Sequence, residues 1–176
     1  MVKKVAIIGP ESTGKSTLSE HLAQHYNTLW VPEYAREYLT ENGMNYTYDS
    51  LLTIAKGQIE LEEKALSQAT KPLVFIDTDM NVMKVWAEFV FGKCHQFILD
   101  QIAARKYDLY LLCNIDLPWA PDPLREYPDP GPRQQLFRIY QDILINQSTP
   151  WSIISGDAEQ RLQTAVNKIA LTFALE

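Results

Sequence analysis

An α/β fold, a five-stranded parallel sheet flanked by helices, is what this 176-residue sequence predicts. Three observations carry that expectation. Short apolar runs recur along the chain, and longer stretches with helical spacing separate them. Such alternation gives parallel strands joined by crossover helices, which cover both faces of the sheet. The first run, "VAII", leads straight into "GPESTGKST", a polar loop bracketed by glycines at a strand-to-helix junction.

The elements follow in order. "VKKVAIIG" is a buried strand, because four apolar residues precede the glycine turn. Ser16 to Tyr26 is a helix with Leu18, Leu22 and Ala23 on one side. "TLWV" before Pro32 is a second strand, and "EYAREYLTENG" is a helix closed by Gly43. From Asp49 to Ala69, Leu52, Ala55, Ile59 and Leu66 keep helical spacing. "PLVFID", ending at Asp77, is the third strand. Helices are expected from Asp79 to Phe91 and from Cys94 to Lys106, then "DLYLLCNI" as the fourth strand. "DLPWAPDPLREYPDPGP" holds six prolines in seventeen residues and excludes a helix or central strand. Pro132 and Arg133 then open a helix with Leu136, Tyr140, Ile143 and Leu144 on one face. "WSIIS" is the fifth strand, and Asp157 with Gln160 caps the last helix.

Composition narrows the function classes. The chain is 46% hydrophobic and 22% charged, as a globular protein is. A net charge of −6 without runs of like charge argues against nucleic acid as a partner. No apolar segment approaches a membrane span or a signal peptide, so a cytoplasmic protein without membrane insertion is expected. Cys94 and Cys113 lack metal-like spacing, and His21 with His25 has no third ligand nearby. One domain over residues 1–176 is expected, and a homo-oligomer is compatible with the sequence.

Gly9, Pro10, Glu11, Ser12, Thr13, Gly14, Lys15 and Ser16 fit G-x-x-x-x-G-K-[ST] between strand and helix. Glycines let the backbone curl so that N–H groups meet phosphate oxygens, and the helix adds its positive dipole end. Lys15 reaches the β- and γ-phosphates, and the Ser16 hydroxyl suits Mg²⁺. A nucleoside triphosphate, ATP or GTP, is the expected ligand.

The other strand ends should line the ligand crevice. Glu33 follows the second strand, with Arg36 one turn on; it takes the proton of an attacking hydroxyl, aligns that hydroxyl, or merely starts a helix. Asp77 resembles the acid that ends a Walker-B strand and holds Mg²⁺, while Asp79 suits either a site or an N-cap. Whether Glu33 or Asp77 is the general base stays open. The proline-rich segment, residues 116–133, reads as a lid whose Arg125 and Arg133 reach the transferring phosphoryl group, or as a rigid surface loop. Tyr34, Trp86, Trp119 and Tyr127 fall near the crevice, and with Asp116 and Asp122 would suit a flat cationic ring.

"GPESTGKSTL", "VPEYARE", "FIDTD" with "VW" after it, "LYLLCNIDLPWAPDPLRE" and "ISGD" together resemble the ribosylnicotinamide kinase domain of the NadR-type proteins of NAD metabolism. The resemblance runs over nearly the whole chain. It implies a P-loop kinase fold and transfer of the ATP γ-phosphate to the 5′-hydroxyl of nicotinamide riboside. It implies that Gly9 to Thr17 hold ATP phosphates and that Glu33, Tyr34, Arg36 and Asp77 face riboside and metal. Trp86 and Trp119 become ring contacts, Arg125 and Arg133 serve the lid, and Ser155, Gly156 and Asp157 meet the base. Larger family members add nucleotidyltransferase or helix-turn-helix domains. The three histidines here sit in no His-x-x-His context, so a stand-alone kinase is expected.

Two further functions stay open. One is a kinase for another nucleoside or for a nucleotide, whose phosphate Arg36 could hold. The other is an ATP-binding regulatory module with little turnover, for which Glu33 would be dispensable.

Overall fold

The structure is a computed structural model that describes residues 2–174. Its elements run β1 (Lys3–Ile8), α1 (Lys15–His25), β2 (Leu29–Val31), α2 (Tyr34–Asn42), α3 (Tyr48–Gln68) and β3 (Leu73–Asp77). They continue with α4 (Met80–Phe91), α5 (Gln96–Ala104), β4 (Leu109–Cys113), α6 (Pro130–Ile145), β5 (Trp151–Ile154) and α7 (Ala158–Phe173). The five strands form one parallel sheet in the order β2-β3-β1-β4-β5.

Strand alternation divides the core between the two faces. Val5, Ile7, Phe75 and Leu111 pack against Leu18 and Leu22 of α1 and Ala165 and Ile169 of α7. Ala6, Ile8, Ile76 and Leu112 pack against Val82 and Val85 of α4 and Leu136 and Tyr140 of α6. A third cluster joins α2, α3, α4 and α5 around Leu51, Ile54, Met83 and Ile98. The strand cores are buried on both sides, which is why they read as unbroken apolar runs. Burial pushes the Cys113 thiol up to about 12, so it stays protonated.

Caps set the helix starts. Asp157 accepts from the Gln160 amide at 2.9 Å, and the Gln160 side chain accepts from the Asp157 amide at 3.0 Å. A second capping box, Thr47 with Ser50, starts α3 one residue before the expected position. Helix α6 begins at Pro130 rather than at Pro132, since proline in a first turn removes no intrahelical hydrogen bond. The irregular stretch between β4 and α6 is therefore residues 114–129, shorter at its end than the expected 116–133.

One buried carboxylate lies away from the crevice. Glu62 on α3 accepts from Lys4 Nζ at 3.1 Å, Arg105 Nη1 at 3.2 Å and the Tyr107 hydroxyl at 2.7 Å. It ties the start of β1 to the chain entering β4. Truncation would leave Lys4 without its carboxylate, Arg105 with only the exposed Glu63, and the Tyr107 hydroxyl without an acceptor. Glu62→Ala is expected to lower unfolding free energy by about 3 kcal/mol in denaturant titration, while Glu63→Ala, whose carboxylate is exposed, changes it little.

Candidate active site at the carboxyl end of the sheet

Strands β1 and β3 are neighbours, yet the chain leaves β1 for α1 on one face and β3 for α4 on the other. Connections that diverge in this way open a crevice at the carboxyl ends of the strands. The loop of residues 9–14 fills its floor. Gly9 has φ 143°, and a Cβ there would lie 2.8 Å from the Cys113 carbonyl oxygen. Ser12 at φ 56° and Gly14 at φ 76° complete the curl. Gly14, as N-cap of α1, offers no side chain to the first-turn N–H groups. Lys15 Nζ donates to the Pro10 carbonyl at 2.9 Å, and Thr13 Oγ1 to the same oxygen at 2.7 Å.

Behind this loop stands Arg161, only 2% exposed. Its Nη1 donates to the Thr13 carbonyl at 2.9 Å, Nε to the Gly156 carbonyl at 2.7 Å, and Nη2 to the Asn114 carbonyl at 3.1 Å and to Asp116. One planar fork thus fixes the phosphate loop to the ends of β4 and β5. The sequence reading missed Arg161, although it shares the i, i+4, i+8 stripe with Ala165 and Ile169 on α7.

Asp77 ends β3 fully buried and accepts from the Ser16 hydroxyl at 2.5 Å. Burial, with the nearby Glu33 carboxylate, pushes its carboxyl up to about 6, against the pull of Lys15. Thr78 follows in the left-handed region at φ 76°, a strained conformation for a β-branched residue. Asp79 is a cap: it accepts from the Val82 amide at 3.2 Å, Asn81 Nδ2 at 2.7 Å and the Tyr110 hydroxyl at 3.1 Å. Glu33 occupies the N-cap position of α2 without a side-chain bond to that helix, and it lines the cavity. Gln58, 1% exposed on α3, holds both segments: its side chain donates to the Pro32 carbonyl at 3.2 Å and the Asp77 carbonyl at 3.4 Å, and accepts from the Tyr34 amide at 2.8 Å. Only a tertiary contact reveals Gln58; nothing local marks it.

The cavity runs from the phosphate loop, including Gly9, Pro10, Glu11, Ser12, Ser16 and Thr17, to a wall of Glu33, Arg36, Trp86 and Phe89. Leu124, Arg125, Glu126 and Tyr127 form its roof, and Leu136 and Tyr140 close it from α6. Tyr127 meets Phe89 edge to face, with ring centroids 5.4 Å apart. Arg36 Nη2 donates to Asp122 at 3.0 Å, while the Leu124 amide and Arg36 hold the Asp122 carboxyl below its usual range. Arg125 donates to the Ala120 carbonyl within its own segment.

Several expected site residues lie elsewhere. Tyr34 turns its ring onto Gly57 of α3, where a Cβ would come within 2.1 Å of it, and is absent from the cavity wall. Trp119 also lies outside the wall, with Nε1 buried and unpartnered among the described residues. Asp116 serves Arg161 and accepts from the Gly156 amide at 2.7 Å, on the far side of the phosphate loop. Ser155 accepts from Asn114 at 3.0 Å beside it, and Asp157 is committed to its cap. Arg133 is 7% exposed and donates to the Ser12 carbonyl at 3.3 Å, so it braces the loop from α6 instead of extending from the roof.

Ser16 Oγ and the Asp77 carboxylate are hard oxygen donors a hydrogen bond apart, a pair that fits Mg²⁺ completed by phosphate oxygens and water.

Residues 4–161 match the family model described as an AAA domain. The trifunctional NAD biosynthesis/regulator protein NadR of Salmonella typhimurium strain LT2 is 33% identical over 148 residues, covering 82% of this chain. The chain spans only 35% of that relative's length. A crystal structure of NadR protein in complex with NR superposes with a TM-score of 0.83 at 24% identity, covering 99% of this chain and 50% of that one. Thymidylate kinase from Ehrlichia chaffeensis shares the fold at a TM-score of 0.68 and 14% identity, covering 96% of this chain and 98% of that one.

Two glycines test this geometry. Gly9→Ala should drive β1 and β4 apart at the loop and weaken nucleotide binding, measured by equilibrium titration, by more than its stability loss of about 1–3 kcal/mol explains. Gly57→Ala should displace the Tyr34 ring and lower stability, whereas Tyr34→Phe should leave ligand binding in the cavity unchanged, as befits a ring outside it.

Proposed function

We propose a function from one premise: the chain belongs to the AAA domain family, whose model covers residues 4–161. The proposed reaction is transfer of the ATP γ-phosphoryl group to the 5′-hydroxyl of nicotinamide riboside, giving nicotinamide mononucleotide and ADP. The observation that carries it is Glu33. Its carboxylate stands in the same cavity as the phosphate loop and makes no helix-capping bond. A regulatory module would have no use for such a carboxylate.

In this reading the curled loop and the start of α1 hold the triphosphate, and Lys15 neutralises its β- and γ-oxygens. Ser16 and Asp77 would hold Mg²⁺, which supplies charge neutralisation across the phosphate oxygens when bound. Glu33 orients the 5′-hydroxyl toward the γ-phosphorus and takes its proton as the new O–P bond forms and the bond to the β-phosphate bridging oxygen breaks. The 114–129 segment excludes water, which would otherwise compete as acceptor.

The acceptor end supports a flat, cationic nucleoside. Trp86, Phe89 and Tyr127 supply aromatic faces, and Glu33 and Glu126 supply negative charge. Arg36 is already paired with Asp122, which disfavours a second role as clamp for an acceptor phosphate. NadR proteins named for NAD biosynthesis, one of them solved with NR, make nicotinamide riboside the first acceptor to try. Among the described residues no helix is long and apolar enough to cross a membrane. We place the activity in the cytoplasm, where ATP is abundant.

The test is incubation with Mg-ATP and a nucleoside panel, with phosphorylated products read by mass. Mononucleotide from nicotinamide riboside is expected, and EDTA should abolish it. Glu33→Gln should lower kcat by about 10²–10⁴-fold with ATP affinity retained. A wild-type protein that binds ATP tightly and phosphorylates no nucleoside would return the chain to the regulatory reading.

A further inference from the structure

Glu11 lies inside the phosphate loop, yet its carboxylate faces away from the loop's own amides. It accepts the backbone N–H of Glu126, at 3.0 Å to each oxygen, and the backbone N–H of Tyr127. Two more contacts join the same segments: the Ala120 amide donates to Ser12 Oγ at 2.9 Å, and Arg133 donates to the Ser12 carbonyl. The chain of bonds continues past the roof. The Glu126 carboxylate accepts from the Tyr46 hydroxyl at 2.8 and 3.0 Å, and Tyr46 accepts from Trp86 Nε1 at 3.0 Å. Phosphate loop, roof and acceptor wall are thereby one connected structure.

An acidic side chain beside a triphosphate site calls for a physical reason. Unpaired, a carboxylate there repels the ligand's charge. Paired with two backbone N–H groups, it makes charge-assisted hydrogen bonds and its charge is drawn off the loop. We propose that Glu11 is a positioning residue, a latch that holds residues 124–127 over the phosphate loop and, through Glu126 and Tyr46, sets Trp86 in the acceptor wall. The latch rests on the kinase reading for its purpose, because closure matters most where water must be kept from an activated phosphoryl group. It makes triphosphate binding and closure a linked pair: open, Glu11 opposes the triphosphate; closed, it does not.

The linkage gives Glu11 a signature opposite to that of a phosphate ligand. In Glu11→Gln protein, ATP binding should be unchanged or tighter. ATP hydrolysed without acceptor should rise at least about tenfold relative to phosphoryl transfer, the worth of a charge-assisted hydrogen bond. The acceptor KM should rise while the ATP KM does not. Tyr46→Phe should raise the acceptor KM alone. Hydrogen exchange on the full chain supplies a readout independent of turnover: the amides of Glu126 and Tyr127 should lose protection in Glu11→Ala, while the β1, β3 and β4 amides keep theirs. Unchanged exchange at 126 and 127, or ATP binding weakened with coupling intact, would overturn the latch. Should the wild type phosphorylate no acceptor, the function reading fails, and the exchange measurement still decides whether the latch exists.

Discussion

The hydrogen bond from the Ser16 hydroxyl to the Asp77 carboxylate, 2.5 Å between the first turn of α1 and the end of β3, is the contact on which the rest of the site depends. It exists because β1 and β3 pair in parallel with Ile7 opposite Asp77. That register places the first turn of α1 beside the last residue of β3. Shift it by one residue and Asp77 would point to the other face. The apolar packing of the sheet thus fixes the alignment of two polar groups that the packing itself does not touch.

Burying a carboxylate there needs compensation. Ser16 and Thr78 donate to Asp77, Lys15 lies near it, and Gln58 ties its carbonyl to the backbone on both sides of Glu33. Arg161 does the same for the phosphate loop, using three backbone carbonyls and the Asp116 carboxylate as its partners. The geometry of the crevice is thus held by side chains from α3 and α7 that do not line it. Preorganised donors and charges act most strongly in such a water-poor setting.

Much of the fold was legible in the sequence because its signals are local. The five apolar runs, the glycine spacing of residues 9–16 and the Asp157–Gln160 capping box each depend on neighbours in the chain. Helix α6 starts two residues before the expected Pro132, since Pro130 looks like a breaker and is in fact a first-turn residue. What escaped was tertiary. Arg161, Gln58 and Tyr46 carry no motif, and their partners are far away in sequence. Tyr34 lies beside Glu33 in the chain, yet Gly57 on α3 draws its ring out of the cavity. Asp116 follows a strand end, as a ligand residue would, but the buried guanidinium of Arg161 claims it.

The proposed function requires one crevice to hold a triphosphate at the loop and a flat cationic nucleoside against Trp86. Calorimetric titration of nicotinamide riboside into protein saturated with Mg²⁺ and a non-hydrolysable ATP analogue tests it most directly. One riboside should bind per chain, and that binding should be lost in Trp86→Ala protein that still holds the nucleotide. Absence of riboside binding to the nucleotide-loaded wild type, or binding indifferent to Trp86, would contradict it.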